Sequence, residues 1–111
     1  MTDKTQTEAI RDLNDKFRRT LTGGTLLLTA GIVALGAEAQ ARIIAAVQAF
    51  DVFTPDNDPY GEHDFGSFEV DGEKLFFKLD YYDPTLAIHS DDPADSSKTE
   101  RVLTIMLASE Y

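Results

Sequence analysis

The chain contains no cysteine, which excludes disulfides, thiol nucleophiles and thiolate metal sites. That absence fits a reducing compartment, and the expected location is the cytoplasm. No stretch reads as a leader or a membrane span. Residues 1–19 are polar and lack an apolar h-region. The most apolar run, 25–37, falls short of the roughly 20 residues that a spanning helix needs, and Glu38 and Arg42 follow it. A soluble protein with no membrane partner is therefore expected. Histidine is limited to His63 and His89, too few for a three-histidine zinc site. Also missing are a glycine-rich phosphate loop, a G-x-S-x-G elbow, an H-E-x-x-H helix and any internal repeat.

Positive charge is scarce in one place. The net charge is −10, and residues 51–95 hold 13 of the 20 acids against only Lys74 and Lys78. Residues 1–50 carry five acids and six bases, and residues 96–111 balance. The whole excess therefore sits in the middle of the chain. Such a field repels nucleic acid and attracts cations or a basic protein surface. The competing reading is that these acids only keep a small domain in solution.

What is present suits one folded domain over 1–111, with 42% apolar residues, seven Phe and four Tyr, and a flexible N-terminus expected at 1–6. Thr5 to Glu8 has capping-box spacing, and Ile10, Leu13, Phe17 and Leu21 recur at helical steps, so a helix is predicted over 7–20. Lys16, Arg18 and Arg19 suit its C-terminal dipole, and Gly23-Gly24 ends it. The apolar run from Thr25 to Ala30 predicts a buried strand. Alanine-rich 37–50 predicts a second helix with Ile43, Ile44, Val47 and Phe50 on one face.

Asp71-Gly72 between alternating segments predicts a two-residue hairpin, which pairs Val70 with Glu73 and Phe65 with Lys78. Gly66, Phe68, Val70, Leu75, Phe77 and Leu79 then share the face that meets the helices. Phe65, Phe76 and Tyr82 lie on the other face, with Phe53 or Tyr60 as further candidates. The same register carried outward sets His63 opposite Asp80. Residues 83–99 predict a long acidic loop in which Leu86 and Ile88 offer a short extended piece to the core, and 101–109 a central strand. The order α-β-α-β-β-β implies an α+β fold of two layers, with two helices on one face of a mainly antiparallel four-stranded sheet.

Three stretches, 14–24 (N-D-K-F-R-R-T-L-T-G-G), 56–66 (D-N-D-P-Y-G-E-H-D-F-G) and 101–111 (R-V-L-T-I-M-L-A-S-E-Y), resemble the bacterial family grouped as domain of unknown function 3768. Its members are small proteins common in alphaproteobacteria, often encoded near plasmid or phage-like genes. The resemblance implies a mobile-element accessory protein and brings no established activity with it.

Three functions compete for the acidic middle. Asp56, Asp58, Glu62, His63 and Asp64 offer ligands for a divalent cation, although the spacing is not that of an EF-hand. Glu62, His63 and Asp64, with Asp80 across the hairpin, could form a His–carboxylate catalytic site, but no nucleophile accompanies them. Asp56, Asp58, Tyr60, Glu62, Asp91, Asp92 and Asp95 could meet a basic protein surface, as inhibitors that imitate DNA do. The last reading, a binding or regulatory module without a cofactor, is preferred because it uses the whole base-poor segment. The small enzyme, metal-dependent or of His–carboxylate type, is its alternative.

Overall fold

The computed structural model describes residues 5–111. The expected loose N-terminus at 1–6 lies, for residues 1–4, outside the described residues. Thr5 and Gln6 already belong to a helix start. Helix α1 (Gln6–Thr20) is capped by Thr5, whose Oγ1 accepts the Glu8 N–H at 3.1 Å. It ends when Leu21 enters the left-handed region at φ 57°. Strand β1 (Gly24–Leu28) is followed by one turn of helix, α2 (Ala30–Val33), and then by α3 (Ala37–Ala49). Helix α2 is not legible in the sequence, because it is too short to show a period and has no side-chain cap.

Strands β2 (Phe65–Val70) and β3 (Glu73–Tyr82) form the expected hairpin, with Val70 opposite Glu73 and Phe65 opposite Lys78. Its turn uses positive φ at both Asp71 (54°) and Gly72 (81°). Strand β4 (Glu100–Leu107) is central, in the sheet order β1-β4-β3-β2. The fold is α+β as expected, but the sheet is mixed, because β1 runs parallel to β4 while the other two pairs are antiparallel. The reason is the crossover. Helix α3 carries the chain back along the sheet before β2 begins, so β1 and β2 point the same way.

All three helices cover one face. Phe17, Ile32, Ile43 and Val47 meet Leu75, Phe77, Leu79, Leu103 and Ile105 in one core. The hairpin face predicted to meet the helices does so. Phe53 departs from expectation and packs on this side, edge-on to Phe50 at 5.0 Å between ring centroids. Leu86 and Ile88 also depart, standing exposed rather than against the core. On the far face Tyr111 packs against Phe65 and Phe76, and His89 from the 83–99 loop stacks on Tyr82.

Candidate functional site: a buried polar seam under the acidic loops

Helix α1 buries a polar edge beside its apolar one. Asn14 and Arg18 are both fully buried, one turn apart, next to Ile10 and Phe17. Their partners explain why. Arg18 Nη1 donates to the carbonyls of Val47 (2.9 Å), Gln48 (3.3 Å) and Phe50 (2.7 Å) at the C-terminal end of α3, where the helix itself supplies only the Phe50 N–H, to Val47. Arg18 Nη2 donates to Asp15 Oδ1 at 3.1 Å, and the guanidinium lies over the Phe53 ring. Among the described residues, Arg18 Nε is the one buried side-chain polar atom without a partner. Burial lowers the Arg18 pKa, and Asp15 pulls it back up.

Asn14 joins the rest. Its Nδ2 donates to the Glu62 carbonyl (3.0 Å) and to Tyr81 Oη (2.8 Å), while its Oδ1 accepts from Arg101 Nε (2.8 Å). Tyr81 in turn donates to Glu62 Oε1 at 2.7 Å. Burial, then that bond, push the phenol well above its ordinary pKa. Arg101 also donates to the Pro93 carbonyl and so anchors the 83–99 loop.

His63 sits between two carboxylates. Its Nδ1 donates to Asp15 (2.9 Å to Oδ1), and its Nε2 lies 3.7 Å from Asp58 Oδ2. Asp58 is buried and also accepts the His63 backbone N–H at 3.1 Å. The ring stacks on Phe53 with centroids 3.8 Å apart and planes 3° from parallel. This holds His63 at φ 56°, an uncommon conformation for a residue with a side chain. The turn takes the chain out of strand register, so His63 does not face Asp80 as predicted. The ladder ends at Phe65, with one further bond from the Leu79 N–H to the Asp64 carbonyl at 2.8 Å.

The four catalytic candidates therefore part company. His63 faces Asp15 and Asp58, and Glu62 faces Tyr81. Asp64 and Asp80 line a separate hollow with Tyr60, Lys78 and Tyr111, where Lys78 lies 3.2 Å from Asp80. The metal candidates do not share a point either, since Asp58 meets His63, Glu62 turns to Tyr81, Asp64 lines the other hollow and Asp56 is exposed. Among the described residues, no three His, Asp or Glu side chains gather to hold an ion. Of the partner-binding candidates, Asp58 is buried and Glu62 is spent on Tyr81. Asp56, Tyr60 and Asp91 are exposed, and Asp92 and Asp95 are half-buried.

Asn14, Asp15, Arg18, Tyr81 and Arg101 went unrecognised in the sequence as parts of one site. A signal was available. Asn14 and Arg18 fall at i and i+4 on the same face as Ile10, and 14–24, 56–66 and 101–111 each contribute to this seam or abut it.

The geometry defines a small two-layer α+β domain whose two acidic loops are tied to one helix through buried Asn14 and Arg101. Its class is a compact scaffold with no helix, among the described residues, long and apolar enough to cross a membrane. A family model described as Protein of unknown function (DUF3768) matches residues 28–110, and the chain belongs to that family. Searches of curated proteins and of solved structures found no match.

Proposed function

We propose that this protein works by binding, offering carboxylates to a basic surface on a cytoplasmic protein partner, without direct contact to nucleic acid. One observation carries the reading: both acidic loops are fastened to the N-terminal half of α1. Gln6 Nε2 approaches Asp92 Oδ1 at 3.5 Å, Arg11 Nη1 donates to the Gly61 carbonyl at 3.4 Å, and Asn14 donates to Glu62. Exposed Asp56 and Asp91 thus belong to loops that are both bonded to α1. Carboxylates held on a rigid frame steer a basic partner quickly and in a salt-sensitive way. A mobile-element regulator of a host protein is the role this would serve.

The catalytic alternative has weaker support, because both nitrogens of His63 face carboxylates and neither is left for a substrate. The test compares proteins captured from host lysate by the wild type and by an Asp56→Asn, Asp91→Asn, Asp92→Asn variant, at low and at high salt. A partner held only by the wild type and only at low salt is expected. Capture indifferent to both salt and the substitutions, or no capture, overturns the reading.

A further inference from the structure

We infer that a second site, on the other side of α1, takes a small monocarboxylate with an apolar body. A cavity of about 260 Å³ lies between α1 and the stretch that precedes β4, lined by Leu13, Lys16, Phe17, Thr22, Gly23, Ser96 and Arg101. No carboxylate lines it, in a chain with twice as many acids as bases. Thr22 Oγ1 is held by Thr20 Oγ1 at 2.7 Å, but other donors there are uncommitted. Among the described residues Lys16 has no ion-pair partner and Ser96 Oγ no hydrogen bond. Arg101, only 2% exposed, uses Nε on Asn14 and Nη2 on Pro93 and leaves Nη1 without a bond. A guanidinium with one unbonded nitrogen, lining the same cavity as a lysine and a hydroxyl, is an oxyanion-binding set.

The charge of the ligand follows from the field. A net charge of −10 repels a free anion, and repulsion scales with the ligand's own charge, so a singly charged carboxylate is favoured over a phosphate. Its body follows from the walls, because Leu13 and Phe17 offer apolar surface that a bare inorganic ion leaves unused.

Benzoate is the probe, with benzyl alcohol, acetate and inorganic phosphate as comparisons. Amide NMR of the full chain is followed at Gly23 and Ser96. Benzoate should shift both amides saturably, with a dissociation constant on the order of 1 mM. The other three should bind roughly tenfold more weakly or not at all. Arg101→Gln tests the guanidinium but also breaks the seam, so Lys16→Glu is the decisive variant. Lys16 is exposed on α1, and its substitution should weaken benzoate about tenfold while the amide spectrum away from the cavity is retained. Benzyl alcohol binding as well as benzoate, phosphate binding more tightly, Lys16→Glu binding normally, or no saturation with benzoate would each overturn the inference.

Discussion

Asp64 is a half-buried carboxylate with three acidic neighbours. Burial raises its pKa above the ordinary 3.8, then Glu62 raises it further, with Asp58 and Asp80 adding smaller pushes. A carboxylate whose pKa is raised by folding is protonated more readily in the native state, so its ionisation opposes folding. That opposition is complete above the raised native pKa. It fades as pH falls through that value and is gone below 3.8, where both states are protonated. Asp64→Asn should therefore raise the melting temperature at pH 7, and its advantage should shrink as pH falls through the native pKa. Thermal melts across pH check this, and a variant less stable at neutral pH would refute it. Asp64 was legible as part of an acidic stretch, but its hollow was not. The same holds for Arg18. Two basic residues at a helix end read as a dipole effect from sequence. One of them instead fills a buried notch, because α3 ends there with carbonyls that its own N–H groups do not fully satisfy.

The hairpin was legible to the residue, since a two-residue turn and a period of two leave only one register that buries the apolar set. Within it, Gly66 is required by the packing of two aromatic rings. A Cβ at that position would stand 2.2 Å from Phe77 Cε2 and 3.0 Å from Phe50 Cε1. Gly66→Ala should lower stability by roughly 2 kcal/mol through overpacking, read as a lower urea midpoint at unchanged slope. An unchanged midpoint would mean that the rings yield freely. The register failed just where the ladder stopped, at His63. Nothing local to Glu62-His63-Asp64 says that Asp58 will hold the His63 N–H or that Phe53 will turn inward beneath its ring. The parallel pairing of β1 was equally hidden, because a strand's direction in the sheet depends on the crossover that follows it.

At the scale of the molecule, repulsion among the acids between 51 and 95 acts against the compact state. Raising sodium chloride from about 0.01 M to about 0.15 M should therefore raise the melting temperature, as the screening length falls from roughly 30 Å to about 8 Å. Magnesium or calcium at matched ionic strength should add nothing beyond that screening. A larger rise with either ion would point to a specific divalent site, and a fall with salt would count against the repulsion. The chain's order of residues was enough to determine the elements with clear periods, the hairpin register, the face that meets the helices and the segregation of charge. Each of these is set by neighbours a few residues apart. Only the tertiary structure decided the role of the Asp51–Asp64 stretch, which proved to be a clamp rather than an open ligand set. Glu62 turns inward to Tyr81, 19 residues away, while the Glu62 carbonyl and the His63 ring meet Asn14 and Asp15 on α1, each 48 residues away. A polar side chain is buried only where a distant partner satisfies it, and no local pattern names that partner.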